Sequence, residues 1–227
     1  MSVYKKFLQN EEIQKIHGAI NNLDILVSCH GRGHALTVVD TAEYILTEMG
    51  FDNETVEMGK TAALLHDIGV IAGRWEHAKK SAALARVFLG GAACFSCEEI
   101  EVILQAIYDH SDGENIVSAI GAAVIIGDKT DLSRRRIFPD AARDPIYKNL
   151  MEMSAVDLKI SERNLTVDFI VTKNFDEELF IRDYVYEYKK GYELTIKAAK
   201  FLGLGCRFLI NQCDKGFYFT PTEKEPY

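Results

Sequence analysis

Residues 62–80 read AALLHDIGVIAGRWEHAKK and place a histidine and an aspartate, His66 and Asp67, at the end of a run of small and apolar residues. Another histidine, His77, follows eleven residues after His66. A run of this kind is typical of a helix in a protein core, where an unpaired ionised carboxylate is strongly destabilising. The histidine and aspartate therefore need a partner inside the fold that offsets their desolvation.

The chain up to about residue 136 has the pattern of successive helices, with apolar residues at helical spacing. The predicted helices cover about residues 13–23, 38–49, 53–67, 76–89, 96–110 and 116–136. Gly69 is expected to close the third helix, and Ser96 with Glu99 has the spacing of a capping box at the start of the fifth. The sixth helix is so apolar before Asp128 that we expect it to be buried on nearly all sides.

The pattern changes after about residue 148. VDLKISE and LTVDFIVT are β-branched runs that predict a hairpin around Arg163 and Asn164, and CRFLINQC predicts a third strand. The stretch from 175 to 203 between them predicts one long amphipathic helix. The fold class is therefore mostly α: a helical domain over residues 1–148 and a small α+β extension over 149–227 that packs on it. The extension is expected to act as a lid or as a pairing surface in a homodimer, since a three-stranded sheet has edges to cover.

Composition limits the classes of partner. The chain has 227 residues, a formal net charge of −8 and a pI near 5.3, which argues against binding a nucleic acid polymer or an anionic membrane. No run of apolar residues is long enough to span a bilayer or to form a signal peptide, and the five cysteines are an odd number without a disulfide pattern. We expect a cytoplasmic protein that acts on a small substrate.

Histidines recur on the inward faces of the predicted helices. His34 lies one turn before an apolar position of the second helix, His77 begins the apolar stripe of the fourth, and His110 ends that of the fifth. His17 is interpreted as a surface residue. A single inward histidine is more often a core residue than a ligand, but four of them with two acids near helix ends favour a metal site inside a helical bundle.

These residues resemble the HD-domain superfamily of metal-dependent phosphohydrolases. The resemblance covers about residues 30–136, and LLHDIG is the hallmark segment. It implies that His34, His66 and Asp128 bind one metal ion, that His77 and His110 bind a second, and that Asp67 bridges them. The presence of His77 and His110 implies the dinuclear branch of the family. The alternative that His30 replaces His34 as a ligand stays open.

Three features compare the chain with other members of the superfamily. The segment from Ala106 to Arg136 is similar to that of HD enzymes that hydrolyse dinucleoside polyphosphates. It departs from cyclic-dinucleotide phosphodiesterases, because neither a His-His pair nor Gly-Tyr-Pro follows His110. Val70 stands where many members have a lysine after HDIG.

The implied chemistry is hydrolysis of phosphoester or phosphoanhydride bonds in a nucleotide or a related small phosphorylated metabolite. Four neutral imidazoles and two carboxylates contribute a charge of −2, so two divalent ions would leave a charge of +2 that suits phosphate and a metal-activated water. Iron, manganese or another transition metal fits these ligands, and magnesium is a further candidate. Asp67 is the candidate catalytic residue, because it would orient the nucleophile while bridging.

Three cations are candidate substrate ligands. Lys129 follows Asp128 directly, and Arg135 lies seven residues after Asp128 on the same helical face. Arg74 lies in the loop before His77. The alternative for Lys129 and Arg135 is a solvated basic helix end.

Two other functions remain open from the sequence. Some HD-fold proteins use the same six ligands to hold a di-iron centre that activates oxygen, so the chain could be an oxygenase. A non-catalytic module that senses a ligand is the third hypothesis.

Overall fold

The structure is a computed structural model that describes residues 2–23, 29–111, 115–182 and 189–214. The helices before the sheet are α1 (Val3–Leu8), α2 (Glu11–Ile20), α3 (Arg32–Glu48), α4 (Asn53–Leu65), α5 (His77–Ala92), α6 (Cys97–Asp109), α7 (Ala119–Thr130) and α8 (Pro145–Leu150). Short 3-10 helices cover Ile68–Ala72, Arg134–Arg136 and Pro139–Arg143. The protein is mostly helical, as the sequence predicts.

Helix α7 lies at the centre of the bundle and contacts α3, α4 and α6. All of its residues from Ile120 to Asp128 are buried, which confirms the prediction of a helix enclosed on nearly all sides. The helix begins later than the predicted residue 116, because the Ser118 side chain accepts a hydrogen bond from the backbone N–H of Gly121 and caps it. The capping box predicted for α6 is present, with Ser96 and Glu99 bonded reciprocally.

The region around Gly69 differs from the prediction. Helix α4 already ends at Leu65, and Gly69 lies inside the 3-10 helix Ile68–Ala72, so it does not close α4. A Cβ atom at Gly69 would lie 2.2 Å from the backbone nitrogen of Ser81. The glycine is therefore needed for the close approach of the 3-10 helix to α5.

A four-stranded sheet follows the bundle. Its strands are β1 (Met153–Ser161), β2 (Asn164–Val171), β3 (Gly205–Ile210) and β4 (Cys213–Asp214), in the order β1-β2-β3-β4. The predicted hairpin is confirmed, and its turn consists of Glu162 and Arg163, with φ of 50° and 60°. Strand β3 pairs parallel to β2, and the sequence did not indicate β4.

Two helices, α9 (Glu177–Phe180) and α10 (Lys189–Phe201), lie between β2 and β3 in the chain. They fall within the long helix predicted from 175 to 203, of which residues 183–188 lie outside the described residues. Helix α10 packs against α7 and β3, and one buried apolar cluster joins the sheet to the bundle. The boundary at residue 148 stays a prediction, and residues 215–227 of the predicted extension lie outside the described part of the chain. Within the described ranges, no helix combines the length and apolar character needed to cross a membrane.

The interpretation of His17 as a surface residue is wrong. The side chain is 0% exposed, and its Nε2 atom lies 3.1 Å from the backbone oxygen of Leu64. His17 follows Ile13 by four residues and precedes Ile20 by three, so it shares their inward face on α2. That spacing was the signal that could have identified it as buried.

We expect His17 to make the protein sensitive to acid. Burial, reinforced by the charge of His66, lowers the pKa of His17 from 6.5 to about 4. The unfolded chain therefore binds a proton at this position before the folded chain does. As the pH falls from 6.5 towards 4, this difference should remove about 3 kcal/mol from the free energy of unfolding.

The variant His17→Gln keeps a donor for the Leu64 carbonyl but does not titrate. Urea unfolding near neutral pH and near pH 4.5 should show a smaller acid-induced loss of stability in the variant than in the wild type. Equal losses in both proteins would contradict the assignment of acid sensitivity to His17.

Candidate metal centre

The structure brings the six predicted metal ligands together in two groups that share Asp67. One group contains His34, His66, Asp67 and Asp128, and the other contains Asp67, His77 and His110. Within each group the potential ligand atoms lie within 4.8 Å of one another. This division is the one that the family resemblance implies.

The first group is assembled from three helices. His34 lies in the first turn of α3, His66 follows the last residue of α4, and Asp128 lies near the end of α7. The Nε2 atom of His34 lies 3.2 Å from the Nε2 atom of His66 and 3.2 Å from an oxygen of Asp128. Gly127 makes this approach possible, because the backbone of Val38 on α3 would lie 3.2 Å from a Cβ atom at that position.

The second group joins the start of α5 to the end of α6. His77 is the first residue of α5, and His110 follows the last residue of α6. Their Nε2 atoms are 3.1 Å apart, and each lies 3.5 Å from Oδ1 of Asp67. The two groups therefore meet at the two oxygens of one carboxylate.

Each of the four imidazoles is held through its Nδ1 atom. His66, His77 and His110 are bonded to the backbone oxygens of residues 63, 74 and 107, and His34 to Oδ2 of Asp131. A carbonyl oxygen can only accept. Burial by itself would raise the pKa of Asp131, but the hydrogen bond with His34 and the charge of Arg136 outweigh burial and hold the pKa below its usual value. The carboxylate is therefore ionised, and each Nδ1 atom carries the proton. Whenever a ring is neutral, its Nε2 atom is an unprotonated acceptor that faces the cluster. Burial by itself would lower the pKa of His66, but Asp67 and Asp128 outweigh burial and raise that pKa, so a metal ion would displace a proton from this ring.

When both rings of a pair are neutral, this arrangement leaves nitrogen lone pairs opposed at 3.1 and 3.2 Å. Such pairs repel unless a cation lies between them. Two nitrogens bound to a common ion at roughly 2.1 Å lie about 3.0–3.4 Å apart, so the observed separations fit shared coordination. Burial lowers the pKa of His77 to about 4, which keeps that ring neutral and able to bind a metal near neutral pH.

Asp67 is the most enclosed carboxylate of the cluster. Burial opposes its ionisation, but interactions with the imidazoles of His66, His30 and His110 outweigh this effect, and the pKa of Asp67 lies well below its usual range. Its Oδ1 atom is buried and has no hydrogen-bond partner among the described residues, although two imidazoles face it. A buried ionised oxygen without a donor is strongly destabilising, and a metal ion would satisfy it.

The structure does not support the alternative in which His30 replaces His34 as a metal ligand. Its Nδ1 atom lies 2.7 Å from Oδ2 of Asp67, and His30 is in neither of the two groups. His34 is the residue whose Nε2 atom faces the cluster. The geometry therefore favours His34 as the ligand and makes His30 a residue that holds the Asp67 carboxylate.

Sequence reasoning did not identify Asp131. Its Oδ2 atom lies 2.8 Å from Nδ1 of His34, and its Oδ1 atom accepts a hydrogen bond from Ser133. Asp131 follows Asp128 by three residues, so a second acid one turn beyond the first was the available signal. A carboxylate bonded to the outer nitrogen of a metal-binding histidine orients the ring and increases its basicity.

The variant Asp131→Asn should weaken metal binding at the first group by about 10- to 100-fold, because the charged partner of His34 is lost. Metal content after dialysis against increasing chelator would measure this effect. Asp157→Asn, which changes an exposed carboxylate on β1, is the matched control and should bind metal like the wild type. Unchanged affinity in Asp131→Asn would show that the carboxylate does not tune His34.

The three predicted substrate-binding cations occupy different places. The Nζ atom of Lys129 lies 2.7 Å from Asp128, so its charge already compensates a candidate ligand. Arg135 does not share a helical face with Asp128 as predicted, because α7 ends at Thr130 and Arg135 belongs to the 3-10 helix Arg134–Arg136. It lines a cavity of about 380 Å³ between α3 and β1, whose wall includes Asp131, on the outer side of His34. Arg74 is exposed, and its backbone oxygen holds His77.

Comparison with known proteins agrees with the sequence motif. Residues 31–154 match the HD domain family. The chain is 34% identical over 125 residues to Ribonuclease Y from a Nitratiruptor species, which covers 55% of this chain and 22% of that protein. It is 31% identical over 135 residues to Ribonuclease Y from Wolinella succinogenes, which covers 60% and 23%.

A solved structure, that of a predicted HD superfamily hydrolase from an uncultured Thermotogales bacterium, matches 63% of this chain and 88% of that one. The sequence identity is 20% and the TM-score is 0.45. The chain spans less than a quarter of the length of the two Ribonuclease Y relatives. The family model covers more than half of the chain and includes all six residues of the cluster, so this protein belongs to the HD domain family.

Proposed function

We propose that this protein is a metal-dependent phosphohydrolase that cleaves phosphoester or phosphoanhydride bonds of a nucleotide or a related small phosphorylated metabolite. The observation that carries the proposal is the set of four Nε2 atoms that face one another around Asp67, each on a ring anchored through Nδ1. Two divalent ions held there would acidify water and stabilise negative charge on a phosphoryl group.

The chain itself positions this chemistry. Anchored rings keep their acceptor nitrogens directed inward, so the ligands need little reorganisation when a cation binds. Asp67 reaches both groups, and its bond to His30 fixes the plane of the carboxylate. Lys129 places a positive charge beside Asp128, where it can also contact a phosphoryl oxygen that approaches this edge.

RNA is a second candidate substrate, because both relatives described above are named Ribonuclease Y. Their name weighs against our expectation that the substrate is not a nucleic acid polymer. The net charge of −8 favours a small substrate over a long phosphate backbone. A short oligoribonucleotide should therefore be assayed beside mononucleotides.

The decisive experiment combines elemental analysis of protein purified without added metal with assays of generic phosphoesters, nucleotides and oligoribonucleotides. We expect divalent metal bound to the protein and release of phosphate or of a nucleotide. Bound iron with oxygen uptake and no hydrolysis would favour the di-iron oxygenase. Metal binding without either activity would favour the sensing module.

The two groups should be separable by mutation. His110→Ala should leave one bound ion, because it removes one of the three ligands of the second group and weakens that site by at least about 10- to 100-fold. Asp128→Ala should instead empty the first group and destabilise the fold, since it removes the buried carboxylate that contacts both His34 and Lys129. Metal-to-protein ratios would distinguish these outcomes. If His110→Ala kept two ions and full turnover, the dinuclear model would be abandoned.

A further inference from the structure

His77 is the most exposed of the six candidate metal ligands. The side chains of His34, His66, Asp67 and His110 are between 0% and 2% exposed, and that of Asp128 is 9% exposed. The side chain of His77 is 18% exposed, the highest value among the six residues. The cluster is therefore most accessible to solvent at His77, and the segment that leads into His77 borders this accessible side.

That segment is a short loop with a defined shape. It connects the 3-10 helix Ile68–Ala72 to α5, and Gly73 and Glu76 have φ values of +96° and +50°. Lys80 donates a hydrogen bond to the backbone oxygen of Ala72 at 3.0 Å. The backbone N–H and the Nδ1 atom of His77 both bond to the oxygen of Arg74. The backbone oxygen of Arg74 therefore orients the ring of His77 and also fixes the loop backbone around the residue that follows Arg74.

That following residue is Trp75, the single tryptophan of the chain. It is 82% exposed, the largest fraction among the exposed large hydrophobic residues that the structure describes. A lone exposed apolar residue needs no explanation in general. Here, however, Trp75 directly follows Arg74, whose backbone oxygen holds a metal-ligand candidate and whose exposed side chain is a cation. An aromatic face and a guanidinium beside a phosphate-cleaving centre are complementary to a base and to a phosphate respectively.

We propose that Trp75 is a base-binding platform at the entrance to the metal centre, with Arg74 contacting a phosphate of the same ligand. The inference rests on the proposed phosphohydrolase function and narrows it: the substrate carries a nucleobase, either in a mononucleotide or at an end of an oligonucleotide. Stacking on an aromatic side chain contributes to binding of any base, so the platform selects for the presence of a base more than for its identity.

Because Trp75 is the only tryptophan, its fluorescence reports on the platform directly. Titration of the metal-loaded protein with AMP should quench the emission saturably, whereas ribose 5-phosphate, which lacks the base, should not. Adenylyl-(3′,5′)-adenosine tests whether the base belongs to an oligonucleotide. If it quenches the emission more strongly than AMP does, the platform binds a base at the end of an RNA chain. No response to AMP at millimolar concentration, or an equal response to ribose 5-phosphate, would overturn the proposal.

Kinetics provide the second measurement. Trp75→Ala should lower the ratio of kcat/KM for a nucleotide to kcat/KM for a base-free phosphoester by about 5- to 100-fold, and Trp75→Phe should restore most of it. Val87→Ala removes another strongly exposed apolar side chain, on α5, and should keep the wild-type ratio. An unchanged ratio in Trp75→Ala would refute the platform even if the protein hydrolyses phosphoesters.

The two proposals can fail separately. Saturable quenching by AMP without hydrolysis of any phosphoester would leave the platform standing and contradict the hydrolase. A further control raises the protein concentration in the absence of nucleotide. If the tryptophan emission then shifts to shorter wavelength, Trp75 lies in a contact between two copies of the chain, and the platform proposal is overturned.

Discussion

Asp67→Ala should abolish the proposed phosphohydrolase activity and lower the metal content of both candidate groups. Asp67 is the one residue common to them, with Oδ1 at 3.5 Å from His77 and from His110 and Oδ2 at 3.3 Å from His66. Removal of its carboxylate takes away a negative charge among four imidazoles, and the repulsion between a bound pair of divalent ions would then be less compensated. We expect less than one ion per chain and a loss of turnover of at least about 1000-fold.

Two further variants separate this effect from a change in folding. Asp67→Asn keeps the shape of the side chain but not its charge, and it should also lose metal. Asp168→Ala removes a buried carboxylate on β2 that accepts the backbone N–H of Gln212, far along the chain from the cluster. It should reduce stability while retaining both ions. Circular dichroism of Asp67→Ala should stay helical, and activity near that of the wild type would refute the dinuclear hydrolase.

Gly69→Ala should destabilise the protein and release the metal of the second group before that of the first. The added Cβ atom would lie 2.2 Å from the nitrogen of Ser81, 2.6 Å from the carbonyl carbon of Lys80 and 2.7 Å from the oxygen of His77. These are backbone atoms of α5, so the clash can only be relieved if the helix moves away. The hydrogen bond from the Gly69 N–H to Ser81 Oγ, at 2.8 Å, would be lost as well.

The expected loss is about 2–4 kcal/mol in the free energy of unfolding, from overpacking together with a broken buried hydrogen bond. Because His77 is the first residue of α5, the same displacement moves it away from Asp67 and His110. Gly90→Ala makes the identical substitution within α5, where nothing lies within 4 Å of the added atom, and should stabilise the helix slightly. Chemical unfolding and metal analysis of both variants would measure the difference. Stability and metal content in Gly69→Ala equal to those of the wild type would contradict this account.

The helices could be predicted because their signals are local. The Ser96 and Glu99 capping box and the apolar stretch of α7 are patterns within one helix, and both are confirmed. Apart from His17, whose spacing on α2 was a local signal, errors arose where a tertiary contact decides the outcome. Gly69 has the sequence appearance of a helix terminator, but it serves a close contact with α5. The position of β4 follows from its pairing with β3 and not from a pattern of its own two residues.

The candidate site also combines properties that local sequence signals predict with properties that tertiary contacts decide. The helical periodicity placed His34, His77 and His110 on inward faces, and the family motif indicated all six residues of the cluster as ligands. These conclusions depend on residue type and on spacing within single helices, which the chain specifies by itself. The roles of these residues as ligands stay a proposal.

Other properties of the site depend on how the helices cross. His34 meets Asp131 across 97 residues, and His30 meets Asp67 across 37, so no local pattern could pair them. Packing also decides which nitrogen of each ring is held and which faces the cluster. It leaves His77 as the most exposed of the six residues, with Trp75 beside it. The sequence by itself determined which residues turn inward, and the tertiary structure decided their partners and the direction of access, because those depend on contacts between distant helices.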